Sequence, residues 1–230
     1  MVSGVGTVME PLSKWTDFQL QKVAHLCPAY TMDSWHFLND IKRLKNLPDC
    51  KLVTIDAVGM YANINTKHAI DSIAKWFELH QNDIPFDFPT KLVLDSIERL
   101  MRFNVFTFGN RFFLQLNGTA MGTNVGCMYA TIYYSFHEET RLLQLSYIRF
   151  YRRLIDDAFV AIRDDNDYYY YSLLQHMNDF GPRGKRLEWE ATKAGFSVDF
   201  LDLTVPIDAD GESSTPPRSK QKEIFSYTDA

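Results

Sequence analysis

Residues 147–162 read YIRFYRRLIDDAFVAI. Two runs rich in Tyr, Phe, Ile, Leu and Val flank the adjacent aspartates Asp156 and Asp157. Short runs of β-branched and aromatic residues favour strands, so a hairpin is expected here with the acids at its tip. Two carboxylates side by side repel, and such a tip needs either free solvation or a cation. Asp is also a favoured turn residue, so the pair alone is compatible with a plain solvated turn. The later pair Asp164-Asp165, followed by Asn166 and Asp167, stands at an expected helix start and reads as capping.

Outward from the hairpin, a second acid sits where none is expected. KLVTIDAV (51–58) is a compact strand-forming run, yet Asp56 stands where a purely structural core strand would continue with Val or Ile. If the two segments are neighbours in one sheet, Asp56, Asp156 and Asp157 meet at its edge and raise one another's pKa unless a cation compensates. Oxygen donors of this kind suit Mg²⁺, which keeps several waters and is completed by substrate phosphates. Two such ions about 4 Å apart can activate an attacking oxygen and stabilise a leaving one.

The remaining periodicities supply the frame. Thr66 is expected to cap a helix whose stripe is Ala69, Ile70, Ile73, Ala74 and Phe77. A second helix fits 89–103, with Pro89 in its first turn. VFTFGNRFFLQL (105–116) reads as a hairpin about Gly109-Asn110. NGTAMGTNVG leads into a helix through CMYATIYYSFHEETRLL, and DNDYYYYSLLQHMNDF reads as a helix stopping at Gly181-Pro182. RLEWEA and FSVDFLDLTV read as strands around a Lys-Ala-Gly turn. The order implies an α+β fold, an antiparallel sheet with helices packed on one face.

Composition narrows the class. With 46% hydrophobic residues in 230, the chain can bury one substantial core. No run approaches the roughly 18 apolar residues that a membrane span requires. The start, MVSGVGTVMEPLSKW, has neither the basic nor the apolar region of a secretory signal. Cys27, Cys50 and Cys127 have no metal-ligand spacing, so reduced thiols in an intracellular protein are expected. The net charge of −5 weighs against a broad grip on nucleic acid and leaves only local clusters. Arg149, Arg152 and Arg153 form one and Arg183, Lys185 and Arg186 another; each reads most simply as a solvated face.

An ordered set of segments resembles the reverse transcriptase domain of Penelope-like retroelements, related to telomerase and retroviral reverse transcriptases. LVTIDAVGMYANI resembles the first catalytic motif, LQLNGTAMGTNVGCMYA resembles Q-x-x-G-x-A-M-G, and RRLIDDAFV resembles R-Y-x-D-D. VDFLDLTV resembles the F-L-D-L strand that follows, and VSGVGTVMEPLSKWTD the passage from fingers to palm. The resemblance implies a reverse-transcriptase palm with fingers and thumb truncated: 1–50 a fingers-to-palm remnant, 51–205 the palm, 206–230 a polar tail or the start of a thumb, where Lys222 resembles a family lysine.

It also implies an RNA-directed DNA polymerase that extends a DNA primer 3′-OH on an RNA template from dNTPs. Two Mg²⁺ would serve as cofactor, with Mn²⁺ an acceptable substitute. Asp56 and Asp156 would be the metal ligands, Asp157 would complete the acidic cluster, and the Ala57 carbonyl would be a lesser ligand. Tyr61 falls on the position whose ring excludes a ribose 2′-OH. Gln115, Gly118 and Met121-Gly122 match the loop under the nascent base pair, and Phe200, Leu201 and Asp202 a strand near the primer end. Departures are Leu154 for a Tyr, Gly126-Cys127 for Ala-Pro, and Val58-Gly59 for small hydroxyl residues. A longer gene product or a partner chain would supply the fingers and thumb, and copying into a genome would imply nuclear access. The rival expectation is an inactive retroelement relic or a domesticated nucleic-acid-binding fragment.

Overall fold

The computed structural model describes residues 6–43, 49–119, 122–163, 167–182, 184 and 186–207. Helix α1 (Glu10–Val23) is followed by α2 (Ser34–Lys42), which Asp33 caps by accepting from the His36 amide at 2.7 Å. Strand β1 (Cys50–Ala57) leads into a single turn, α3 (Met60–Asn63), and then α4 (Thr66–Leu79). The cap of α4 is Asn65 rather than Thr66: its side chain accepts from the His68 amide at 3.0 Å. Helix α5 (Thr90–Arg102) starts directly after Pro89. The expected hairpin is present as β2 (Val105–Phe108) and β3 (Arg111–Leu114).

Helix α6 (Gly126–Thr140) runs through the middle of the molecule, buried on nearly every side. Strands β4 (Ile148–Leu154) and β5 (Asp157–Arg163) form the hairpin anticipated around the Asp pair. Helix α7 (Asp167–Met177) stops before Gly181, because Asn178 bonds both ends of the Trp189 peptide instead. Its Oδ1 accepts from the Trp189 amide (2.8 Å) and its Nδ2 donates to the Trp189 carbonyl (3.0 Å). The capping role read for Asp164-Asp165 and the expected start of this helix, like Met121, Arg183, Lys185 and Lys222, lie outside the described residues.

Two expectations about the last strands need correction. β6 (Trp189–Gly195) continues through Lys193-Ala194-Gly195, which pair with Thr54, Val53 and Leu52. A register shift between Thr54 and Ile55 accommodates the extra residue, and the Thr192 hydroxyl spans it by donating to the Thr54 carbonyl at 3.1 Å. FSVDFLDLTV is not one strand but a second hairpin, β7 (Ser197–Phe200) and β8 (Leu203–Pro206), turning at Leu201-Asp202. The sequence signal was a change of parity: Val198 and Phe200 are buried at even positions, Leu203 and Val205 at odd ones. A two-residue turn returns all four side chains to one face.

The main sheet is antiparallel in the order β4-β5-β1-β6. Side-chain alternation gives it two unlike faces. Val53, Ile55, Ala158, Val160 and Ile162 enter a large core with α1 and α3 to α7. Leu52, Phe150, Phe159 and Ala161 enter a smaller one with Phe37, Leu38 and Ile41 of α2 and with the β7-β8 hairpin. Helices therefore cover one face almost entirely, with α2 the exception. Asp56 and Asp157 belong by parity to the second face, at the end that this smaller core does not reach.

Candidate active site at the open end of the sheet

Backbone pairing brings the acids together. Asp56 of β1 lies directly opposite Asp157 of β5, and the Ala57 amide donates to the Asp156 carbonyl at 3.0 Å. The three acids named from sequence thus share one sheet end. On the other side of β1, Asp56 is opposite Glu190 of β6, a fourth carboxylate that the motif comparison did not single out. The signal was in RLEWEA, where Leu187 and Trp189 are buried and Glu188 and Glu190 alternate outward.

Burial, then Asp156 and Glu190, raise the Asp56 carboxyl above its ordinary value. Burial, then Asp156 and Asp56, do the same to Asp157. Raised folded pKa values mean that the folded state holds these protons more tightly than the unfolded chain. Stability from this source is complete at acid pH and is lost as pH rises through the raised values. Asp157→Asn is therefore expected to raise the melting temperature at pH 7–8 without divalent ions and to leave it unchanged near pH 3. The gain is about 1–2 °C, since solvent screens an exposed acid. Thermal melts at both pH values check it.

Among the described residues no three His, Cys, Asp or Glu side chains are gathered into a ready-made metal cage. The donor set is nonetheless carboxylate oxygen alone. Mg²⁺ commonly takes only one or two protein carboxylates, with substrate phosphates and water completing its shell. The residues present fit that cation better than zinc, which favours His and Cys.

Tyr61 stands on α3, whose approach is set by Gly59 at φ +53°. Its hydroxyl donates to Cys127 Sγ at 3.3 Å. Burial, with Cys127 and Asp156 adding to it, pushes the phenol well above its usual range, so the ring is neutral and lies within electrostatic reach of Asp156. Gly118 lies beneath this segment: its amide donates to the Ile64 carbonyl (3.1 Å), and the Thr119 amide donates to that of Tyr61 (2.6 Å). A Cβ on Gly118 would stand 2.6 Å from the Tyr61 carbonyl oxygen. The glycine is thus required by the backbone carrying Tyr61.

Gln115 is held by residues of its own hairpin and loop. Its amide accepts from Asn104 Nδ2 (2.6 Å) and donates to the Asn117 carbonyl (2.9 Å). It lines a cavity of about 480 Å³ with Lys67, Arg102 and Leu116. A polar depression of about 340 Å³, lined by Ala62, Asn63, Asn117, Arg186 and Glu188, adjoins the Tyr61 segment. Phe200 is buried against Phe37 and Phe159, and Leu201-Asp202 form the hairpin turn. The three cysteines are thiols rather than disulfides; Cys27 and Cys50 are buried and Cys127 is exposed.

The arginines of β4 do not form a common solvated face. Arg152 pairs with Asp40 at 2.8 Å, while Arg153 is fully buried against Glu138 of α6. Arg153 Nε and Nη2 take the two Glu138 oxygens at 2.5 and 3.0 Å. Burial alone would pull the guanidinium down, but Glu138 more than reverses this and keeps it charged. Removing one partner of such a pair costs about 3–5 kcal/mol.

No family model matches the chain, and no curated protein matches it in sequence. Its fold does match solved polymerases. Apo telomerase from Candida tropicalis aligns over 92% of this chain and 41% of its own, at 12% identity and a TM-score of 0.66. Telomerase from Candida albicans, in complex with a TWJ fragment of telomeric RNA, aligns over 88% of this chain and 38% of its own, at 16% identity and a TM-score of 0.61. The Sicinivirus 3Dpol RNA-dependent RNA polymerase aligns over 80% of this chain and 39% of its own, at 11% identity and a TM-score of 0.50. The chain has a polymerase palm-type fold and spans about two fifths of the length of these chains. No helix among the described residues is long and apolar enough to cross a membrane.

Proposed function

We propose that the protein is the palm of an RNA-directed DNA polymerase from a Penelope-like retroelement, acting on a DNA primer 3′-OH, an RNA template and dNTPs. The observation that carries this reading is the register of the sheet, which sets Asp56 opposite Asp157 and ties Ala57 to Asp156 at an open sheet end. Chance placement of acids on two strands separated by about a hundred residues of chain would seldom give that coincidence in a palm-type fold.

In this reading Asp56 and Asp156 would hold two Mg²⁺ ions, with Asp157 and the Ala57 carbonyl in support; when bound, such ions would supply Lewis-acid activation of the 3′-hydroxyl and charge stabilisation for the leaving pyrophosphate. The chain's own part is positional: β1 presents Asp56, β5 presents Asp157 and the turn before β5 presents Asp156, and strand pairing sets Asp56 against Asp157 before substrate arrives. Tyr61 closes the sugar side of the pocket, and its bond to Cys127 orients the ring. The RNA in the Candida albicans telomerase complex is consistent with an RNA template here. Fingers and thumb would come from a longer product or a partner chain, and action on a genome requires nuclear access.

The test is primer extension by the purified protein on an RNA template with a DNA primer, in Mg²⁺ and separately in Mn²⁺. Absence of extension in both would favour an inactive relic that keeps the fold. Sugar selection gives an independent check. Tyr61→Ala is expected to lower the preference for dNTP over rNTP, as the ratio of kcat/KM values, by at least about tenfold. An unchanged ratio would remove Tyr61 from the pocket wall.

A further inference from the structure

The turn that carries Asp156 is strained. Ile155 has φ +57°, the left-handed region that a β-branched residue rarely enters. Strain of this kind persists only where the surroundings enforce it. Strand pairing ends at Leu154 and Asp157 and does not reach Ile155 itself.

One side chain does reach it. Arg153 Nη1 donates to the Ile155 carbonyl at 2.7 Å, while Nη2 donates to the Thr131 carbonyl at 2.9 Å and, with Nε, grips Glu138. A single planar guanidinium therefore joins the buried helix α6 to the peptide immediately before Asp156. The Arg153 backbone is held independently: its amide donates to the Ala29 carbonyl (2.7 Å), and its carbonyl accepts from Thr31 (3.0 Å). Changing the side chain should leave the strand docked.

We infer that Arg153, anchored by Glu138, is a positioning residue that holds the Ile155 turn and thereby sets Asp156 against β1. Lysine is not equivalent. It keeps the charge that Glu138 needs, but its single ammonium cannot span Glu138, Thr131 and Ile155 in the fixed geometry of the fork. The inference rests on the proposed site only for its catalytic consequence; the turn geometry stands without it.

The reporter is the Ala57 amide, whose partner is the Asp156 carbonyl. Residue-resolved hydrogen exchange on Arg153→Lys should show Ala57 exchanging about 10- to 100-fold faster, with Val53 and Val160 unchanged. Ile155→Asn should restore Ala57 protection in the Arg153→Lys background, because Asn tolerates the left-handed region. Unchanged exchange at Ala57, or uniformly faster exchange that Ile155→Asn does not localise or reverse, would overturn the inference. Should Arg153→Lys fail to fold, the paired Arg153→Met/Glu138→Met protein removes both buried charges and carries the same readout. Mn²⁺ titration of the same proteins separates the two readings. A wild-type protein that binds no Mn²⁺ even with a dNTP present would sink the metal site, while the exchange result would still decide the role of Arg153. Binding in wild type that weakens about tenfold in Arg153→Lys is the expected outcome.

Discussion

On the proposed function, the protein carrying Asp156→Asn and Asp157→Asn is expected not to extend a DNA primer on an RNA template under conditions in which the wild-type chain is expected to do so. The expected loss is at least about 10³-fold, the scale on which removal of groups that stabilise developing charge is felt. Asn keeps the shape of Asp and can still occupy the turn, so the fold should survive. Indeed the carboxylates at this sheet end burden one another: Asp156 contributes to raising both Asp56 and Asp157. The variant should melt no lower than the wild type at neutral pH. Lost extension with intact melting would place the chemistry at these acids. Equal extension by both proteins would move the catalytic site elsewhere, and absence of extension by either would leave a palm-type fold without polymerase activity.

The second large effect concerns a residue with no functional group. Gly118→Ala should destabilise the protein by at least about 2 kcal/mol, lowering its melting temperature by roughly 4–8 °C. The glycine sits at φ +76°, and a methyl group there would meet the carbonyl oxygens of Tyr61 and Ala62 at 2.6 and 2.7 Å. Those contacts are backbone, so no side chain can swing aside. The loop or α3 must shift instead, and Tyr61 moves with it. Since the Tyr61 hydroxyl reaches Cys127 Sγ at 3.3 Å, alkylation of the exposed Cys127 should change rate in the variant. A stable Gly118→Ala protein with unaltered Cys127 reactivity would refute this account of the loop.

Much of the architecture was legible because it follows from local pattern. The β4-β5 hairpin, the strand ending in Asp56, the Gly109-Asn110 turn and the helices α4 to α6 each carry a period or a punctuating residue that the chain cannot easily satisfy otherwise. The β7-β8 turn was also written locally, as a parity change, but the similarity of VDFLDLTV to a single strand concealed it. The end of α7 was not local: Asn178 terminates the helix only because Trp189 comes back to pair with it.

The candidate site divides in the same way. Sequence named Asp56, Asp156, Asp157 and Tyr61, since acids set against apolar strands, in an ordered set of motifs, stand out without coordinates. Register alone decided that Asp56 faces Asp157 and that Glu190 flanks it, because pairing across about a hundred residues leaves no mark on either segment. Arg153 shows the contrast most sharply. In the chain it is one of three arginines beside a turn; in the fold it is buried between α6 and the Ile155 peptide. Sequence determined which charges this protein carries and which elements bear them. Tertiary structure decided which of those charges meet, because an ion pair or a strained turn exists only where separate elements close on one another.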